Sequence, residues 1–352
     1  MHQLAALLRD APAHLADKRV TAGFDGFVDR ILRPVYKITG ESREYFETIA
    51  DFGAFLQRKT GKSCSVELDV QTHKVGGNCP IFSSALGACG VAVDCIGMFG
   101  GASFDAMPPS CRRHSYAEAG TADCLEFGDG KVLLAARCAM EGDPFSEVSA
   151  AVPALAELYA SADLAALLNW SELEYATALW TGVYERIFAN TAPDHDKTLF
   201  FDLCDIARKS AEEIERVLCL IGRFGGVRHT VLSLNENECQ LLGGHIGVSG
   251  GLETVARALA ARYGVHEVVV HTLHRSCVLA SDEWHERPTI FCEKPVLSTG
   301  AGDNFNAGYC LGILLEQPAQ ERLAVANLTA SRYITLGHNV SLAALADYAD
   351  SL

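Results

Sequence analysis

The chain has 352 residues, is 49% hydrophobic and 21% charged, and carries a formal net charge of −15, which gives core material for one large α/β domain or two smaller ones. That acidic balance, with no Lys/Arg run, argues against a nucleic-acid partner, and no apolar stretch reaches membrane-spanning length. Thirteen cysteines lack metal or redox spacing (neither Cys89/Cys95 nor Cys219/Cys239 fits), and Asp10, Pro12 and Asp17 interrupt the first apolar residues, so a reduced, cytoplasmic protein is expected.

In chain order, residues 2–9 predict a short amphipathic helix and Arg19 to Phe24 a first core strand. That strand runs into Gly23-Phe24-Asp25-Gly26-Phe27-Val28-Asp29, where two aspartates four apart either face one cleft or serve a turn and solvent. From Ile31 to Lys74 the pattern is polar and less regular, with a helical piece at Tyr45 to Leu56, and reads as an insertion. Gly76-Gly77-Asn78 then opens a helix with Pro80 in its first turn, Gly90 stops it, and Val91 to Met98 predicts a buried strand.

Residues 99–139 form a second irregular zone with strand-like pieces at Cys124 to Phe127 and Lys131 to Ala135. Alternation then returns. Apolar runs at Leu164–Leu168, Thr198–Leu203, Thr230–Leu234 and Glu267–His271 are separated by helical stretches at Tyr184–Asn190, Ala211–Ile221 and Leu252–Tyr263. This rhythm predicts βαβ units and a mainly parallel sheet with helices on both faces. The expected division is an α/β core of residues 1–30, 75–98 and 140–352, with 31–74 and 99–139 as small β lid insertions beyond the strand ends, where open α/β sheets bind ligands.

Two stretches carry chemistry. In Ser298-Thr299-Gly300-Ala301-Gly302-Asp303, a glycine turn opens an apolar helical segment running to about Leu315. Unpaired N–H groups and the positive dipole end make such a turn an anion cradle, and Asp303 is placed to take a proton from an attacking hydroxyl. The plain alternative is a tight loop before a buried helix. The spacing matches neither a P-loop nor a dinucleotide fingerprint, which disfavours an NAD-dependent oxidoreductase. In Asn235-Glu236-Asn237-Glu238, the first and last residues are three apart: they either orient water around Mg²⁺ or form a capping box. The histidines, His271 and His274 included, lack metal-ligand spacing and read as structural or solvated. Ser115, Ser233 and Cys277 lack the setting of a nucleophile.

Taken together, these motifs resemble the ribokinase/PfkB family of small-molecule kinases. The resemblance rests on Gly76-Gly77-Asn78, on Asn235/Glu238 as an Asn-x-x-Glu motif, on Gly300-Ala301-Gly302-Asp303 followed by Phe305-Asn306-Ala307-Gly308, and on Ala326-Asn327, in the family's order across most of residues 19–337. It implies a three-layer α/β/α ribokinase-like fold with a small β lid, and ATP- and Mg²⁺-dependent phosphorylation of a hydroxymethyl group on a sugar. A nucleoside kinase and a non-catalytic ligand-binding relative are the alternatives. Asp303 would be the general base, and Gly300, Ala301 and Gly302 the anion hole. Asn235 and Glu238 would place Mg²⁺ and phosphate, while Thr272 and Asn327 would meet the nucleotide. Asp29, or Asp25 in its place, would bind the acceptor with Gly76, Gly77 and Asn78. A homodimer through the lid is also implied.

Three departures stand out. Leu297 replaces a common Asp that serves a monovalent cation, so potassium activation is not expected. His274 and Cys277 occupy glycine positions of the family's nucleotide loop, where side chains would alter the phosphate path. The 31–74 insertion is longer than in simple sugar kinases. Base stacking by Tyr36, Tyr45 or Phe104 would mark a nucleoside kinase.

Overall fold

The computed structural model describes residues 1–135, 139–297 and 299–352. Ser298 and the 136–138 portion of the expected lid segment lie outside the described residues.

The main sheet has nine strands. From one edge they run Glu283–Pro288, Arg275–Ala280, Glu267–His271, His229–Asn235, Thr198–Asp202, Leu164–Leu167, Arg19–Gly23, Ala92–Gly97 and Cys111–Ser115. All neighbours are parallel except the first two pairs, which are antiparallel. Central strands are apolar at successive positions because both faces are covered. Phe201 points into one core with Trp180 and Phe224, while its neighbour Phe200 points into the other with Phe82 and Leu311. Helices His2–Leu15, Asn78–Ala88, Ala301–Leu314, Ala319–Leu336 and Leu342–Asp350 contribute to the second core, and Ala176–Val183, Ala211–Gly225 and Leu252–Tyr263 to the first. This is the three-layer α/β/α architecture.

Arg19–Gly23 lies between Leu164–Leu167 and Ala92–Gly97, so successive crossovers leave it in opposite directions. A crevice beyond the carboxyl end of such a strand is the standard ligand position in open α/β sheets.

The second sheet pairs the long strand Phe27–Thr39 with Ser42–Tyr45, Leu68–Gly76 and Gly120–Phe127, and Gly120–Phe127 with Gly130–Ala135. Helix Ile49–Gln57 supplies Phe52 and Phe55, which close on Phe46 at 5.1 and 5.2 Å between ring centres. This aromatic cluster packs one part of the small sheet against its own helix, while Phe27 at the start of the long strand joins the main core.

The structure differs from the expected division at two points. The second sheet begins at Phe27 rather than Ile31, because the backbone leaves the core directly after Gly26. Cys111–Ser115, inside the 99–139 zone, belongs to the main sheet as a parallel edge strand on Ala92–Gly97. Its charged run Arg112-Arg113-His114 hid it: on an exposed edge those side chains pair with Asp94 and Asp105 rather than bury.

Candidate active site

The turn before Ala301–Leu314 sits over the carboxyl ends of the sheet. Gly300 is left-handed at φ 85°, and an added Cβ would lie 2.9 Å from the Tyr333 hydroxyl, so the position demands glycine on two counts. Its carbonyl accepts from the Asn304 N–H at 3.0 Å and from the Asn304 side-chain amide at 2.9 Å. The N–H groups of Ala301 and Gly302 have no partner among the described residues. They form the half-buried positive end of a fourteen-residue helix.

Cavities lie on both sides of this turn. The smaller, about 250 Å³, is lined by Ala301 and Gly302 together with Thr272, Phe305, Asn327 and Ile334. The larger, about 500 Å³, is lined by Asp303 and Thr299 together with Asp29, Gly77, Asn78 and Asn169. Asp303 lines the larger space, directly after the two residues of the turn that line the smaller. Burial, then the charges of Asp202 and Asp25, push its carboxyl well above the ordinary carboxylate range.

The roof of the larger cavity is the second sheet. Asp29, Ala122 and Ala135 are register neighbours across three strands, so their side chains share the face turned to the cavity. Burial raises Asp29, opposed by Lys131 and Lys74. Gly76 lies directly against the Asp29 carboxylate, where an added Cβ would overlap it.

Asp25 is placed differently. It is fully buried, and its oxygens accept from Asn78 N at 2.7 Å, Cys79 N at 2.8 Å and the Asn169 amide at 2.7 Å. It caps helix Asn78–Ala88 from beneath, at a turn whose Gly77 has φ 92°. Burial pushes it up to about 6. Of the two aspartates, Asp29 lines the cavity and Asp25 supports its floor.

Asn169 was missed from the sequence. It follows strand Leu164–Leu167 with φ 57°, is 3% exposed, and its Oδ1 has no hydrogen-bond partner although the residue lines the larger cavity. A polar residue in left-handed backbone at the end of a buried strand is its one local signal, and that conformation is not written in the sequence.

Asn235 and Glu238 form the full capping box: Glu238 N donates to Asn235 Oδ1 at 2.9 Å, and Asn235 N to Glu238 Oε2 at 2.9 Å. Neither lines the two cavities. Glu238 is pushed up to about 8 by burial and then by the charge of Asp202. Asp202 itself accepts from Asn306 at 2.7 Å and Cys204 N at 2.8 Å. Among the described residues no group of three or more His, Cys, Asp and Glu is arranged to hold a metal ion.

On the smaller cavity, Thr272 Oγ1 accepts from the N–H groups of His274 and Arg275, closing the turn between two strands. Asn327 donates to Pro288 O at 3.2 Å and leaves its buried Oδ1 without a partner. His271 lies on Phe305, ring centres 4.9 Å apart, and burial drives it down to about 4, so it is neutral at pH 7. Cys277 sits in strand Arg275–Ala280 with no exposed surface, packed in the core, and does not line the smaller cavity. His274 is exposed and does not line the cavity.

Tyr36 packs edge-on against Phe46, Tyr45 donates to Asp69, and Phe104 is buried against Phe99. None of the three lines the larger cavity.

A family model described as prokaryotic ketohexokinase matches residues 1–352. A ketohexokinase of Haloferax volcanii is 24% identical over 341 residues, covering 93% of this chain and 89% of the relative. Among solved structures, adenosine kinase from Sinorhizobium meliloti superposes with a TM-score of 0.66 at 18% identity, over 94% of this chain and 99% of the other. Arabidopsis thaliana ribokinase, complexed with ribose and ATP, superposes with a TM-score of 0.59 at 14% identity, over 94% and 98%. At these identities the structures establish a shared ribokinase fold.

Proposed function

The chain belongs to the prokaryotic ketohexokinase family and is a carbohydrate kinase; we propose that it transfers the γ-phosphoryl group of ATP to a hydroxymethyl group of a ketohexose. The observation that carries this reading is the position of Asp303, in a cavity lined by polar side chains and directly after the turn residues that line a second cavity.

In the larger cavity the acceptor is held by the Asp29 carboxylate, the Asn78 amide and the unpartnered oxygen of Asn169. Asp303 takes the proton of the reacting hydroxyl as its oxygen bonds to the γ-phosphorus. The bond from that phosphorus to the bridging oxygen breaks, and its electron pair leaves with ADP. The N–H groups at Gly300–Gly302 hold the charge that develops on the phosphate oxygens. Raising Asp303 by burial strengthens it as a base once ionised. Closure of the second sheet excludes water, which would otherwise take the phosphoryl group.

The residues present fit Mg²⁺. Glu238 and Asp202 are two buried carboxylates that repel each other, a hard-oxygen setting that favours a cation. Glu238 and Asn235 would hold the ion through its waters, with Asp202 behind. When bound, Mg²⁺ neutralises phosphate oxygens. In the smaller cavity, Asn327 and Thr272 flank the nucleotide.

The match to the prokaryotic ketohexokinase family and to a ketohexokinase relative supports a sugar over a nucleoside as acceptor. The test is ADP release measured with ATP and Mg²⁺ across ketohexoses, aldoses, pentoses and nucleosides. Turnover with a ketohexose at kcat/KM at least tenfold above every other acceptor is expected. Preference for a nucleoside, or no turnover with any acceptor, would sink the assignment.

A further inference from the structure

We propose that Lys131 is a catalytic residue, a cation carried by the second sheet that binds the γ-phosphoryl group as it passes between the two cavities. This rests on the phosphotransfer reading above and adds to it a group that none of the signature motifs contains.

The geometry begins with strand periodicity. In Gly130–Ala135 alternate side chains share a face, so Lys131 lies on the face of Leu133 and Ala135, both of which line the larger cavity. From there its ammonium reaches across 168 residues of sequence to donate to Thr299 Oγ1. Thr299 lines that cavity and immediately precedes Gly300, the start of the anion turn. The same ammonium is the stronger of two cations that oppose the upward push of burial on Asp29. Its charge therefore acts both at the acceptor carboxylate and at the turn where phosphate is held.

Its present partner is a neutral hydroxyl. Among the described residues Lys131 makes no ion pair, whereas Arg208, the cation that lines the cavity, is held by Glu172 at 2.6 Å. A triphosphate approaching Asp303, with Asp202 and Glu238 behind it, enters a strongly acidic neighbourhood. Phosphoryl transfer depends on positive charge at the equatorial oxygens of the transferred group. A lysine suits this position because a compact charge on a flexible stem can rest on Thr299 and shift to the phosphoryl oxygens when they arrive. In the transfer step Lys131 keeps all its protons: Asp303 receives the hydroxyl proton, and ADP receives the electron pair of the broken bond. Because the lysine belongs to the second sheet, closure over the acceptor completes the phosphoryl site.

The experiment uses the full chain as wild type, Lys131→Met and Lys131→Arg. With ATP, Mg²⁺ and the preferred ketohexose, Lys131→Met should lower kcat by about 100-fold or more, the scale for loss of one preorganised charge donor. The acceptor KM should stay within about threefold, and Lys131→Arg should recover at least about tenfold in kcat. Calorimetry with the ketohexose present supplies the second readout. Lys131→Met should weaken β,γ-imido-ATP about tenfold and leave ADP unchanged, because only the former carries the γ group. Unchanged kcat in Lys131→Met beside an active wild type would overturn the role of Lys131 alone. Equal weakening of ADP and the triphosphate analogue would mark a structural effect and also overturn it. A wild type without turnover would overturn the phosphotransfer reading, and the calorimetric comparison would still decide whether Lys131 meets the γ group.

Discussion

Replacing Asp25 and Asp29 separately by alanine should separate support from recognition. Asp25→Ala strands three donors that now reach its carboxylate at 2.7–2.8 Å: two helix N–H groups and the Asn169 amide. Each buried donor left without a partner costs about 1–3 kcal/mol, so the loss is on the order of 6 kcal/mol. Against this, burial has already raised Asp25 from 3.8 to about 6, a cost of about 3 kcal/mol to the ionised form near pH 8, which the alanine variant escapes. The net deficit is on the order of 3 kcal/mol at pH 8. With an unfolding entropy of about 2.1 cal/mol/K per residue, that is a fall of about 4 °C in Tm for 352 residues. The sign with pH follows from the raised folded pKa. Wild type loses stability as pH rises from the unfolded value near 4 through about 6, so the deficit is larger at pH 5 than at pH 8. Asp29→Ala removes a half-buried carboxylate with no hydrogen-bond partner among the described residues, and should leave Tm within about 1 °C. It should raise the acceptor KM by about 10- to 100-fold, the value of one or two hydrogen bonds to a charged group. Thermal melts at pH 5 and 8 and acceptor titrations measure both. An Asp25→Ala protein with unchanged Tm and lost acceptor binding, beside an unaffected Asp29→Ala, would refute the reasoning.

The remaining predictions concern charge and backbone. Glu238, raised from 4.5 to about 8, should make wild-type stability fall as pH rises between those values, and Glu238→Gln should flatten that slope; added Mg²⁺ should flatten it in wild type too, as followed by Tm. The acid limb of kcat against pH should rise with pH through a midpoint above the ordinary aspartate value of about 3.9, because Asp303 must ionise to act and its pKa is raised; a limb at or below that value would contradict this. Gly300→Ala forces a side chain into left-handed backbone 2.9 Å from the Tyr333 hydroxyl, and should cut kcat by at least about tenfold by displacing the anion turn. With Leu297 in place of a carboxylate, rates in sodium and potassium buffers should agree within about twofold, whereas strong potassium activation would point to another cation site.

The fold was legible where burial on both faces writes itself as apolar runs, as in Thr198–Asp202 and Glu267–His271. It was least legible at edges. Arg275–Ala280 and Glu283–Pro288 were not among the expected strands because Arg275, Glu283, Glu286 and Arg287 dominate them, yet Arg275 pairs with Glu286 across the strands and Arg287 with Glu321 of the neighbouring helix. At the site, residues whose position follows from a helix start were readable, Gly300–Asp303 and Asn78 among them. Residues placed by tertiary geometry were not. Asn169 depends on a left-handed turn, Lys131 on how one strand of the small sheet leans over the core, and the choice between Asp25 and Asp29 on which of them turns beneath helix Asn78–Ala88. Cys277 was placed by motif position at a glycine of the nucleotide loop, where a side chain would alter the phosphate path, while the strand buries that side chain in the core.

The central claim is that Asp303 is the base of a phosphotransfer between the two cavities, and Asp303→Ala tests it most directly. Turnover with ATP, Mg²⁺ and the preferred ketohexose should fall by about 10²–10⁴-fold, while calorimetry shows nucleotide and ketohexose bound within about threefold of wild type. A variant that turns over at the wild-type rate, or one that loses both ligands together with activity, would contradict the account.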